Sequence, residues 1–85
     1  MSATIMEGQL VMALATDSVI GAAGVVANAA RGSGVEILLR GESIGHWRWR
    51  KGVFAFTRAG ELDASREVET VAEAVHYTRD QLRDA

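Results

Sequence analysis

The residues best equipped for chemistry are the basic side chains of one short stretch. Arg40, His46, Arg48, Arg50 and Lys51 lie in or just before SIGHWRWRKGVFAFTR, residues 43–58. A guanidinium presents a fork of donors that suits phosphate and carboxylate oxygens. Spacing turns the list into a surface: His46, Arg48 and Arg50 alternate with Trp47 and Trp49, so an extended strand puts the cations on one face and the indoles on the other. Such a face can meet a nucleic-acid backbone or an acidic protein, and three-stranded sheets backed by a C-terminal helix do read DNA in some families. The reading preferred here is that the arginines lay their stems over apolar sheet surface and pair with acids, including those of a second copy.

A second stretch to consider is Ile20-Gly21-Ala22-Ala23-Gly24. It resembles the I-G-x-x-G signature of KH-type RNA-binding modules. That resemblance implies that Gly21, Ala22, Ala23 and Gly24 form a loop clamping a nucleic-acid backbone. It also implies a following helix, a glycine break, an Ile/Leu strand, further strands and a C-terminal helix. Neither G-x-G-x-x-G nor G-K-[ST] occurs, so the chain has no dinucleotide or P-loop fingerprint.

Little else points to reaction chemistry. His46 and His76 fall on different predicted elements and there is no Cys, so no metal-ligand spacing exists. His76 and Asp80, four apart, read as a solvated helix pair. No G-x-S-x-G elbow is present, and Glu67, Glu69 and Glu73 read as an acidic helix start that favours the helix dipole. The sequence therefore predicts no catalytic residue, no metal and no cofactor, and a non-enzymatic binding or adaptor module.

The elements that must position the cations follow from periodicity. Lys51-Gly52 is a two-residue hairpin turn, which sets Trp49 opposite Phe54, Trp47 opposite Phe56, Arg50 opposite Val53 and Arg48 opposite Ala55. Val35 to Arg40 is the preceding strand. A two-residue link at Gly41-Glu42 would place Ile37 and Leu39 on the face of His46 and Arg48. A three-residue link at Gly41-Glu42-Ser43 would place them with Trp47 and Trp49, and burial favours this second parity. It leaves Glu36, Leu38, Arg40, Ile44, His46, Arg48 and Arg50 on the opposite face.

Upstream, Thr4 and Glu7 predict a capped helix over residues 5–15. Thr16, Asp17 and Ser18 offer N-caps for a second helix, or a continuation of the first, over residues 19–30, stopped by glycines at 32–34. Downstream, residues 60–66 read as loop. Thr70-x-x-Glu73 then caps a helix over residues 71–84 with Val75 at its centre of burial. The predicted fold is a single α+β domain spanning residues 1–85. It has two layers, with an N-terminal helical region, a three-stranded antiparallel sheet and a C-terminal helix, in the order ααβββα.

Composition bounds the rest. At 85 residues, 48% apolar and 24% charged, the chain can fold but holds a marginal core that association would help. The zero Cys count fits a cytoplasmic protein without disulfides. Net charge is −2, yet residues 40–58 sum to +4 and residues 59–85 to −4, enough to steer a partner or to let two copies neutralise each other. The apolar run 10–30 is not read as a membrane span, because Asp17 in its middle would cost roughly 2.5–3.5 kcal/mol to insert. Its uncharged surface predicts a homo-oligomer, most simply a dimer. An acidic protein or a nucleic acid is the possible further partner.

Overall fold

The computed structural model describes residues 2–30 and 34–83. In chain order the elements are α1 (Ala3–Thr16), α2 (Ser18–Ala22), β1 (Val25–Ala30), β2 (Gly34–Leu39), β3 (Glu42–Arg50), β4 (Val53–Arg58), β5 (Arg66–Val68) and α3 (Val71–Arg83). The sheet is a five-stranded antiparallel meander in the order β1-β2-β3-β4-β5. The three-stranded expectation is therefore wrong by one strand at each edge.

Both extra strands have a physical reason. Residues 25–30 are uncharged and Ala-rich, which suits a helix, but Gly24 at φ +81° ends α2 and the β-branched pair Val25-Val26 starts a strand. Of the predicted glycine stop at 32–34, residues 32 and 33 lie outside the described residues, and Gly34 opens β2. Arg66–Val68 is too short to show a period. It pairs as Phe54–Val68, Ala55–Glu67 and Phe56–Arg66, so Val68 joins the buried face of the sheet.

The Lys51-Gly52 hairpin forms as expected, with Arg50–Val53, Trp49–Phe54, Arg48–Ala55 and Trp47–Phe56 in register. Both turn residues have positive φ, 50° and 84°, the requirement of a type I′ turn. The β2–β3 link differs from the one preferred. It is a two-residue turn at Arg40-Gly41, with Leu39 opposite Glu42, and the parity is corrected further along by a β-bulge. Leu38 pairs with Ser43 and Ile37 with Gly45, leaving Ile44 extra. Val35, Ile37, Trp47, Phe54 and Phe56 thus share the buried face as predicted, while Ile44 packs against the core and not on the opposite face. Gly45 is needed there: a Cβ would strike the Phe56 ring and come within 2.6 Å of the Thr57 carbonyl oxygen.

α1 and α3 cover one face of the sheet. Met6, Leu10 and Leu14 of α1, Ile20 of α2 and Ala74 of α3 close over Trp47, Phe54 and Phe56. Trp47 meets Phe54, Phe56 and Tyr77 with ring centroids 6.3, 5.0 and 5.8 Å apart, distances at which tilted and edge-on pairs attract. Its indole Nε1–H donates to Thr78 Oγ1 at 3.0 Å, and that hydroxyl donates to the Ala74 carbonyl at 2.8 Å. The buried positions of α3 are Ala74 and Thr78, whereas Val75 is half-buried and not the centre.

The helix starts show how side chains settle orphan N–H groups. Ser2, not Thr4, caps α1, accepting from Ile5 N–H at 3.3 Å. Glu7 is thereby freed, and its Oε2 accepts from the Trp49 backbone N–H at 2.9 Å. In a two-residue hairpin closed by Arg50–Val53, Trp49's N–H points toward the β2 side, where pairing with β3 among the described residues ends at Val35–Trp47. Thr70 caps α3 by accepting from Glu73 N–H at 3.1 Å, and its hydroxyl donates to the Glu73 carboxylate at 3.0 Å.

Asp17 caps α2, accepting from Val19 and Ile20 N–H at 3.0 and 2.9 Å. Its side chain is only 7% exposed and also accepts from Arg79 Nε at 3.0 Å and from Arg79 Nη2, tying the α1–α2 junction to α3. The Arg79 hydrogen bonds foremost, then the Ile20 N–H, hold the Asp17 carboxyl below the usual carboxylate range, against desolvation that pushes it up. The guanidinium is correspondingly held above its ordinary value.

Candidate binding surface: the bare face of the sheet

With α1 and α3 on one side, the other side of the sheet is left without a covering element among the described residues. Alternation sends Val26 and Asn28 of β1, Glu36 and Leu38 of β2, and His46, Arg48 and Arg50 of β3 to this face. It also sends Val53, Ala55 and Thr57 of β4, and Glu67 of β5. Val26, Asn28, Arg48, Arg50 and Glu67 are exposed, and the others are half-buried beneath their neighbours.

The cation row forms along β3 as the spacing requires. His46 lies between Glu36 on β2 and Thr57 on β4, Arg48 lies beside Ala55, and Arg50 beside Val53. Lys51 follows in the turn. Arg40 does not join them. It sits in the turn at the other end of β3, roughly 25 Å from Lys51 at about 3.3 Å per strand residue. The five basic residues singled out above therefore form one row of three, with Lys51 at its end, and one outlier. Alternation along the sequence puts Glu36 on this face without pairing it to His46, and Glu67, which stands on β5 beside Ala55, has no counterpart in the sequence pattern. Strand pairing decides both positions, and composition carries no trace of them.

The glycine motif takes a different shape from the one its resemblance implies. Gly21 and Ala22 close α2, Ala23 is its C-cap, and Gly24 turns the chain into β1. A strand and not a helix follows, so the four residues end a helix and do not form a loop between two helices. His76 and Asp80 do meet, at 3.6 Å, as an exposed pair on α3. That pair borders a cleft of about 360 Å³ between α3 and β5, where Arg66 lies 5.7 Å over the Tyr77 ring. A second groove, of about 580 Å³, runs between the end of α1 and α3, past Asp17 and Arg79.

Among the described residues no group of His, Cys, Asp or Glu is placed to hold a metal ion, and no helix is long and apolar enough to cross a membrane. No protein-family model, curated protein or solved structure matches this chain.

Proposed function

We propose that this chain is a non-enzymatic binding or adaptor module that works as a homodimer and offers the bare face of its sheet to an acidic partner. The observation that carries the reading is apolar surface left uncovered. α1 is apolar almost all round, a pattern normal for a helix buried on every side. Yet Ile5 and Met12, seven residues apart and so on one side of it, are 54% and 68% exposed. Val19 on α2 and Val26 on β1 are exposed to a similar degree. A chain of this size has too little core to leave such surface in water at no cost, and a second copy is the simplest cover. The cysteine-free composition suits work in the cytoplasm. Light scattering at low micromolar concentration tests the reading: a mass twice the 9.1 kDa of one chain supports it, and a monomer removes it.

A second reading, nucleic-acid binding, is favoured by one observation: His46, Arg48 and Arg50 all reach the same uncovered face. If Arg48, Arg50 and the adjoining Lys51 grip phosphates, affinity falls with salt with a logarithmic slope of about −2 to −3 for three contacts, at roughly 0.7–0.9 per phosphate. Changing Arg48 and Arg50 together to Gln then flattens that slope by about 1.4–1.8. Absence of any retardation of single- or double-stranded probes at low salt removes this second reading and leaves an acidic protein as the partner.

A further inference from the structure

The two edges of the sheet differ in a way that points to how copies meet. β5 is three residues long and carries Arg66 and Glu67, the features by which a sheet edge is kept from pairing. β1 is six residues long, Val-Val-Ala-Asn-Ala-Ala, with no charge, no Pro and no bulge in its pairing to β2. Arg40 N–H donates to the Gly24 carbonyl, so Gly24–Arg40 is a hydrogen-bonded pair and the ladder alternates from there. Val26, Asn28 and Ala30 therefore bond inward to β2. The N–H and C=O groups of Val25, Ala27 and Ala29 point outward, past the edge.

We propose that the dimer forms by antiparallel pairing of β1 with the β1 of a second copy, joining two sheets into one. The proposal rests on the homodimeric reading above and names its contact surface. A second copy fits this edge for a symmetry reason. A strand pairing antiparallel with itself meets its own side chains in reverse order, so the residue on the two-fold axis faces its own copy. On β1 that residue is uncharged, whereas β5 would bring Glu67 against Glu67. With Ala27 on the two-fold axis, Val25 lies opposite the second copy's Ala29 and each outward N–H finds an outward carbonyl. That axis is perpendicular to the sheet. Both helical layers then fall on one side and both bare faces on the other, so the two rows of His46, Arg48 and Arg50 lie on one continuous surface. α2 packs on β1, so the exposed Val19 is carried on an element beside the new junction.

Backbone amide exchange on the unmodified chain tests this pairing residue by residue. The inward amides of Val26 and Asn28 are protected in monomer and dimer alike. The outward amides of Ala27 and Ala29 are protected only when a second strand covers them. Well above the dissociation constant, a hundredfold rise in protein concentration lowers the monomer fraction, and so their exchange rate, about tenfold. A dimer by light scattering whose Ala27 and Ala29 amides exchange at a concentration-independent rate overturns the β1 junction while leaving the homodimeric reading standing. A chain that scatters as a monomer throughout overturns both. Ala29→Pro gives a second test: Ala29 is exposed and its N–H serves no bond to β2, so Pro there removes only an outward donor. A folded, monomeric A29P chain is expected, and a folded dimeric one overturns the proposal. If A29P does not fold, the exchange rates of the unmodified chain decide.

Discussion

Thr78→Val isolates the bond between sheet and C-terminal helix that holds the aromatic core in place. Thr78 and Trp47 are both 0% exposed, and the Thr78 hydroxyl is the acceptor for the indole N–H. Val keeps the branched shape and fills nearly the same space but removes the acceptor. The Ala74 carbonyl still receives the ordinary helical bond from the residue 78 N–H, so the group left orphaned is the buried indole. Leaving such a donor unsatisfied costs about 1–3 kcal/mol. In a domain of this size each kcal/mol lowers Tm by roughly 4–8 °C, giving an expected fall of roughly 4–24 °C by circular dichroism. The double-mutant cycle sharpens the point. In a Trp47→Phe background no N–H remains to be orphaned, so Thr78→Val becomes nearly neutral there. Equal costs in the two backgrounds would refute the reasoning and assign the loss at Thr78 to helix packing alone.

Other perturbations test other parts of the account. Phe54→Ala should cost about 3–5 kcal/mol in urea denaturation because the ring is fully buried, whereas Trp49→Ala should cost less, its ring being half-buried. Gly45→Ala should destabilise by about 1–3 kcal/mol, since its methyl runs into Phe56 and Thr57 at the bulge, and an unchanged urea midpoint would contradict that placement. Asp17→Asn should lower stability near neutral pH. Asp17 has a folded pKa below its ordinary 3.8, so its contribution is complete above that value and lost as pH falls through the lower folded one. The gap between parent and D17N should therefore close only below about pH 4, and a gap that closes between pH 5 and 7 would show that another group is responsible.

The parts of this fold that could be read from the sequence are those fixed by local chemistry. Lys51-Gly52 demands positive φ and thereby dictates four strand pairs and the alternation of His46, Arg48 and Arg50 with the indoles. Thr70 with Glu73 fixes the start of α3 as firmly. What was not legible depends on partners distant in sequence. Val25–Ala30 becomes a strand because β2 is beside it, against the helical preference of its alanines. Glu7 looks like half of a capping box, yet a strand N–H forty-two residues away claims it. The bulge at Ile44 restores by insertion the parity that a longer turn would have supplied, and nothing within Gly41-Glu42-Ser43 distinguishes the two. The same distinction governs the candidate site. The row on β3 is legible because it lies on one strand, but the separation of Arg40 and the place of β1 at the end of the strand order follow from topology.

Small-angle X-ray scattering in solution tests the central claim, a homodimer with its sheets joined at β1, in one measurement. A single chain has a Cα radius of gyration of 11.4 Å. Joining two five-stranded sheets edge to edge separates their centres by about 24 Å at 4.8 Å per strand, which raises the radius of gyration to about 16–17 Å. A β1-joined homodimer is expected to show that value together with a forward intensity of twice the monomer mass. A radius near 11–12 Å with the intensity of one 9.1 kDa chain would contradict it.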